Sequence, residues 1–152
     1  NLQTVMQVVA DSARYNVFDL TDAILNFNTK RSIKILNGLK SEGAEPTIIL
    51  WALTRELRVW ANLKQGFEQG KNMSALFKTQ RIWSNKIGLY NQAISKISLL
   101  DLHTLLRFSA VIDQTIKGQI QGDLWQLLQE MVFAWVNIIG RNFLHLKMQQ
   151  YD

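Results

Sequence analysis

Residues 45–66 read EPTIILWALTRELRVWANLKQG and contain the only proline of the chain. Proline suits the first turn of a helix, where its missing N–H group costs no hydrogen bond, so a long helix is predicted from Pro46 to about Gly66. Residues three or four apart form one apolar stripe on this helix: Leu50, Leu53, Leu57, Trp60 and Ala61. Three further apolar residues lie nearly opposite: Ile48, Ala52 and Val59. Because two sides are apolar, we expect this helix at the centre of a bundle. Trp51 lies between the stripes and is a candidate interface residue.

The chain before this stretch also has helical spacing. A first helix is predicted over residues 2–14 and a second over residues 20–27, with the Asp19 carboxylate as the cap of the second. Thr29 is predicted to cap a third helix. Gly43 follows it and is predicted to supply the left-handed residue that ends it.

Helical spacing continues after residue 66. Gly66 and Gly70 are predicted to bracket a polar connector, which is followed by a short helix at residues 73–77. Arg81 is predicted to open another long helix. Its apolar residues recur at alternating spacings of three and four, which is typical of an inward-facing seam between antiparallel helices: Trp83, Ile87, Tyr90, Ile94 and Ile97.

Two more helices are predicted near the end of the chain. Ser98, with Asp101 three residues later, resembles a capping box at the start of one helix, which ends at Gly118. Asp123 is predicted to cap the final helix, whose apolar stripe runs through Leu124, Leu127, Leu128, Met131, Trp135 and Ile138. Neither a repeat nor a linker divides the chain. The predicted fold is therefore all-α, a single compact bundle of about six or seven helices.

The composition limits the possible classes of protein. Of 152 residues, 47% are hydrophobic and 19% are charged. Because an average soluble domain has ~25% charged residues, part of the apolar surface is expected to contact a partner. The longest apolar runs, residues 48–53 and 131–136, fall far short of the ~20 residues of a membrane span. The absence of cysteine suits a reducing compartment, so the cytoplasm is expected. The chain opens at Asn1 without a leader and is expected to be a piece of a longer protein.

No local pattern predicts a catalytic, cofactor or metal site. The glycines form neither GxGxxG nor GxxxxGK followed by Ser or Thr. His103 and His145 lack metal-ligand spacing and are interpreted as ordinary surface or half-buried histidines. Asp113 and Lys117 lie one helical turn apart and are predicted to form a surface ion pair. An enzyme whose residues converge only in the folded chain stays an open alternative.

Positive charge is concentrated in one stretch. The formal net charge is +5, and residues 71–96 hold five cations and no acid: Lys71, Lys78, Arg81, Lys86 and Lys96. With Trp83 and Tyr90 interleaved, these residues are candidates for contact with DNA. However, both aromatic residues fall on the predicted inward seam, and scattered lysines are typical of a solvated helix face. Arg81 and Lys86 are also candidate interface residues, together with Trp51.

Several blocks occur in a fixed order: DSARYNVFDL at 11–20, DAIL at 22–25, ILNGL at 35–39, EGAEP at 42–46, REL at 55–57, RIW at 81–83 and DLW at 123–125. In this order they resemble the C-terminal domain of the delta subunit of bacterial DNA polymerase III, over about residues 11–135. Asn26, Phe27 and Ile33 depart from the family pattern. The second and third helices are therefore expected to pack slightly differently.

The resemblance implies a helical collar domain of a clamp loader, without ATP binding or catalysis. It implies packing against the C-terminal domains of the gamma/tau and delta prime subunits. It also implies contact with the sliding clamp only through a missing N-terminal domain, contact with DNA through the whole complex, and no contact with a membrane. The parent complex would be a DNA-directed DNA polymerase. The alternative interpretation is a basic helical nucleic-acid-binding domain.

The expected organisation has three parts. Residues 1–14 are expected to form an N-terminal helix adjoining the missing lid domain, residues 15–139 the collar domain, and residues 140–152 a C-terminal tail.

Overall fold

The computed structural model describes residues 1–4 and 15–152. The predicted first helix at residues 2–14 lies largely outside these residues. Between residues 15 and 152 the chain forms eight α-helices and two short 3-10 turns, Ser84–Lys86 and Gln149–Tyr151, and no strand. The prediction of an all-α bundle is confirmed. The helices are α1 Val17–Leu25, α2 Thr29–Ser41, α3 Pro46–Glu68, α4 Met73–Thr79, α5 Ile87–Ser95, α6 Leu99–Ile116, α7 Leu124–Val136 and α8 Ile138–Met148.

Helix α3 forms the centre of the bundle. It packs along α6 and also contacts α1, α4, α5 and α7. Its predicted apolar stripe is buried, which confirms the assignment made from spacing. The Trp60 ring meets the ring of Trp135 on α7 edge-on, with 5.2 Å between ring centroids, a geometry that aromatic pairs prefer. The opposite side is covered unevenly, since Ala52 is buried, Val59 is half-buried and Ile48 is exposed.

The caps of α1 and α2 differ from the predicted ones. Asn16, not Asp19, is the N-cap of α1; its side chain accepts hydrogen bonds from the N–H groups of Phe18 and Asp19. Asp19 Oδ2 in turn accepts from the Asn16 N–H at 2.9 Å, which completes a reciprocal capping box. Asn28 caps α2, so Thr29 is the first helical residue. In both cases an asparagine just upstream supplies the oxygen that the sequence interpretation assigned to a later residue.

The long helix predicted from Arg81 is wrong. Arg81 has φ 59°, and it ends α4 through hydrogen bonds from Arg81 N to Lys78 O and from Ile82 N to Phe77 O. The next α-helix starts only at Ile87. Trp83 is therefore not on the buried seam but 75% exposed. Of the other predicted seam residues, Tyr90 and Ile94 on α5 and Ile97 just after it are buried, and Ile87 is half-buried.

Gly66 does not begin a connector but lies inside α3 and is buried. A Cβ atom there would come within 2.3 Å of Leu76 Cδ2, so glycine permits the close approach of α4 to α3. Gly70, with φ 68°, supplies the turn after the helix. The prediction for residues 73–77 is confirmed by α4.

Helix α7 begins at its predicted cap, Asp123, but it is not the final helix. The chain is extended at Asn137, with φ −141° and ψ 130°, and α8 follows. Ile138 is exposed on α8 and does not continue the α7 stripe. Arg141 Nη2 donates to Trp135 O at 2.9 Å, and Arg141 Nε donates to Ala134 O at 3.2 Å, so a buried guanidinium satisfies the end of α7. The predicted domain boundary at residue 139 falls inside α8, and the division into domains stays a prediction.

Candidate functional site

A groove of about 900 Å³ lies over the exposed side of α3. Its walls come from α3, from the turn that ends α4, and from the middle of α6. Two of the three candidate interface residues, Trp51 and Arg81, line this groove although they are distant in sequence. The groove is at the upper end of the ~300–1,000 Å³ range of ligand pockets, and we call it the α3 groove.

Trp51 is the main aromatic surface of the α3 groove. It is 54% exposed although it belongs to the central helix, whose other large side chains are mostly buried. The Arg55 guanidinium carbon lies 5.7 Å from the centroid of the Trp51 ring, within range of a cation–π interaction. The ring is thus supported by its own helix and presents apolar area to the outside.

Arginine supplies the charge of the α3 groove. Arg55 and Arg58 project from α3, and Arg81 comes from the turn after α4. None of the three lies within 4.0 Å of a carboxylate oxygen in the described ranges. The acid that lines the groove, Asp113, is paired with Lys117 at 2.7 Å, which confirms the predicted surface ion pair. The groove is therefore positively charged.

A partly buried hydrogen-bond network centred on Glu56 lies beside the α3 groove. Glu56 Oε1 accepts from Trp60 Nε1 at 3.1 Å and from Tyr90 Oη at 2.5 Å. Burial raises the pKa of Glu56 above its usual value, against the lowering effect of these two donors. Burial, with the adjoining Glu56 charge, also raises the pKa of Tyr90. A cavity of about 130 Å³ is bordered by Arg55, Glu56, Arg81 and Tyr90, so the network adjoins two arginines of the groove.

Lys86 and Lys96 lie outside the α3 groove. Lys86 Nζ is 2.9 Å from Asp22 Oδ1, so it ties the turn before α5 to α1. Lys96 Nζ lies 5.0 Å from the centroid of the Phe27 ring. Lys71 and Lys78 are exposed. The five cations of the basic stretch therefore do not form one continuous patch around the α3 groove: Arg81 lines it and the four lysines lie outside it. Their roles in binding stay predictions.

Trp83 and Tyr90 differ in the way most relevant to nucleic-acid binding. Tyr90 is buried and hydrogen-bonded to Glu56. Trp83 is exposed, two residues after Arg81 and three before Lys86. The regular spacing of the predicted seam hid this exposure, because the left-handed turn at Arg81 is not marked by a glycine or proline.

The two histidines lie in different environments. His103 is exposed. His145 Nε2 lies 2.6 Å from Asp101 Oδ1, and His145 Nδ1 lies 3.5 Å from Thr104 Oγ1. No group of three or more His, Cys, Asp or Glu residues in the part of the chain that the structure describes could hold a metal ion. No described helix is long and apolar enough to cross a membrane.

A second apolar surface was missed by the sequence interpretation. Ile139, Phe143 and Leu146 are exposed on α8 and lie one turn apart along one face. A pocket of about 380 Å³ beside them is lined by Phe133 and Phe143. The i, i+4, i+7 spacing of these residues is visible in the sequence and would have predicted an amphipathic helix beyond Gly140.

Comparison with known proteins gives consistent matches. Residues 17–138 match the model of the family described as processivity clamp loader gamma complex DNA pol III C-term. The chain is 33% identical over 128 residues to DNA polymerase III subunit delta of Escherichia coli (strain K12), covering 84% of this chain and 37% of that protein. It is 28% identical over 142 residues to the protein of the same name from Haemophilus influenzae, covering 86% of this chain and 40% of the relative. The chain thus spans about two fifths of the length of these relatives.

Proposed function

We infer the function from one premise: the chain belongs to the family of C-terminal domains of the DNA polymerase III delta subunit, a clamp-loader component. The proposed role is that of an assembly module. In this role the domain packs against the C-terminal domains of the gamma/tau and delta prime subunits in the collar that supports loading of the sliding clamp. Contact with the clamp itself belongs to other parts of the full-length subunit.

The half-exposed Trp51 in the α3 groove is the observation that carries this proposal. Tryptophan is among the residues that contribute most to binding energy at protein interfaces. A ring held on the central helix loses little conformational freedom on binding, because the helix is already fixed by the core. The exposed apolar face of α8 gives the same domain a second surface suited to protein contacts.

The proposal assigns no catalytic step to this domain. Glu56, which lies beside the α3 groove, accepts hydrogen bonds from Trp60 and Tyr90, and the proposal gives it a structural role. The proposed setting is the cytoplasm, as part of a DNA-directed DNA polymerase. Turnover of a small molecule by the purified domain would contradict the non-catalytic assignment.

Reconstitution of the full-length protein that contains this chain tests the assembly role. It is mixed with purified gamma/tau and delta prime subunits, and the mass of the complex is measured by light scattering. We expect Trp51→Ala to weaken assembly about tenfold, a typical cost of removing a central interface tryptophan. Phe67→Ala is the matched control, because Phe67 is an aromatic residue on the same helix, 61% exposed and outside the groove. A wild-type protein that stays separate from all partner subunits would contradict the proposal.

A second candidate function, binding of nucleic acid, is favoured by the exposure of Trp83 between Arg81 and Lys86. Such an aromatic ring next to cations suits stacking on an unpaired base. Titration of labelled primed DNA at about 50 mM and 200 mM salt measures this, since affinity due to phosphate contacts falls as salt rises. We expect Trp83→Ala to weaken binding more than Trp51→Ala does. No binding at the lower salt would exclude this candidate.

A further inference from the structure

The α3 groove combines uncompensated positive charge with apolar area. Three arginines line it without an ion-pair partner in the described ranges, while the groove's own acid, Asp113, is occupied by Lys117. Leu50, Val59 and Leu106 line the same groove as the Trp51 ring and add apolar side chains to it. Such a lining favours a ligand that carries negative charge and at least one apolar group.

The arrangement favours carboxylates of a protein over the phosphates of a nucleic acid. Binding along a nucleic-acid backbone normally uses a track of cations with successive aromatic rings. The α3 groove has one aromatic ring and no lysine among its lining residues. The exposed lysines of the basic stretch, Lys71, Lys78 and Lys96, lie outside it. Arginine also matches a carboxylate with two parallel hydrogen bonds, which suits acidic side chains.

We propose that the α3 groove binds an acidic segment of a partner clamp-loader subunit, whose carboxylates pair with Arg55, Arg58 and Arg81 and whose apolar side chain packs on Trp51. This inference rests on the proposed assembly function and adds the position and the chemistry of the contact. It predicts that assembly depends on ionic strength, because the arginines lie in an open groove where salt screens their charge.

Charge reversal tests the electrostatic part. In the full-length protein, Arg55→Glu combined with Arg58→Glu is compared with wild type for affinity to purified gamma/tau and delta prime subunits. We expect a loss of about a hundredfold, as is common when charge pairs at an interface become like-charged, and this loss should become smaller as the salt concentration rises. The control is Lys30→Glu with Lys34→Glu, which changes the net charge equally on the exposed side of α2, outside the groove. Arg55→Gln with Arg58→Gln removes the charge without reversing it and should give an intermediate loss.

The outcomes separate this inference from the assembly role. If wild type assembles and the groove variants assemble equally well, the groove proposal is overturned and the assembly role survives. If wild type does not assemble, the assembly role itself fails. If the groove variants lose affinity for primed DNA while assembly is unchanged, the groove is a nucleic-acid site and the proposal is overturned.

Photo-crosslinking identifies the occupant directly. Benzoylphenylalanine replaces Thr54, which lines the groove one turn after Trp51, in the reconstituted complex. Mass spectrometry then locates the attached segment. A segment of a partner subunit rich in Asp and Glu supports the proposal, and a neutral or basic segment, or no protein attachment in an assembled complex, overturns it.

Discussion

Two peripheral helices, α5 and α8, are held to the bundle by carboxylates whose pKa values are shifted in opposite directions. At the α5 joint, Glu56 of α3 accepts hydrogen bonds from the neutral donors of Trp60 and Tyr90. At the α8 joint, Asp101 of α6 lies 2.6 Å from His145 Nε2 and 4.0 Å from Arg141 Nε. Burial raises the pKa of Glu56. Burial also acts to raise the pKa of Asp101, but hydrogen bonds from His145 and Ser98 and the Arg141 charge outweigh it and lower that pKa.

The difference follows mainly from depth: Glu56 is more deeply buried than Asp101, so desolvation prevails at Glu56 and not at Asp101. The Tyr90 and Trp60 donors and the nearby Lys86 charge each lower the pKa of Glu56, but desolvation outweighs them. At Asp101, hydrogen bonds from His145 and Ser98 and the charge of Arg141 favour the ionised form. The α5 joint therefore contributes more to the free energy of unfolding when Glu56 is protonated. The α8 joint contributes more when Asp101 is charged.

Removing the buried cation of the α8 joint should have the largest effect. Arg141→Ala deletes two hydrogen bonds to the end of α7 and leaves the Ala134 and Trp135 carbonyl groups without these donors. We expect the free energy of unfolding to fall by about 3 kcal/mol, as for other buried charged hydrogen bonds. Urea unfolding followed by circular dichroism measures this. A loss below about 1 kcal/mol would show that solvent replaces the guanidinium.

Truncation of the α5 joint should cost somewhat less. Glu56→Ala leaves Tyr90 Oη and Trp60 Nε1 without an acceptor, and we expect a loss of about 2 kcal/mol, because removing a charge that was costly to bury offsets part of the penalty. Since Glu56 and Tyr90 also border the cavity next to Arg55 and Arg81, this variant should reduce partner affinity, whereas Arg141→Ala should not. Equal effects of both variants on affinity, at temperatures where both are folded, would contradict that difference.

The sequence predicted the apolar stripe of α3 better than it predicted the α5 and α8 joints. The stripe of α3 follows from one period within one helix, so spacing was sufficient. Glu56 and Tyr90 are 34 positions apart, and Asp101 and His145 are 44 apart. No local pattern encodes such pairs, because the meeting depends on how separate helices cross. Trp51 and Arg81 were both chosen from sequence, but their common groove follows from the turn at Arg81, which spacing concealed.

Opposite pH dependences give the most direct test of the comparison. The contribution of charged Asp101 is present above its unfolded pKa near 3.8 and is lost as the pH falls through the lower folded value. Asp101→Asn should therefore cost most at pH 7 and least in acid. The penalty for charged Glu56 is absent below its unfolded pKa near 4.5 and grows as the pH rises toward the raised folded value. Glu56→Gln should therefore gain on wild type as the pH rises. Between about pH 3.5 and 7 we expect the two differences to change in opposite directions. Slopes of the same sign would refute the opposite pKa shifts.

The smallest effect is expected at the edge of the α5 joint, where Lys86 pairs with Asp22. Both side chains are largely solvated, and exposed ion pairs contribute about 0.2–1 kcal/mol. Lys86→Ala should therefore lower the free energy of unfolding by about 0.5 kcal/mol, and added salt should reduce the difference. Lys34→Ala, an exposed lysine on α2 without an ion pair in the described ranges, is the control. A cost near 2 kcal/mol that persists in salt would mean that the Lys86 charge, which lowers the pKa of Glu56, contributes more to the α5 joint than its exposed ion pair with Asp22 does.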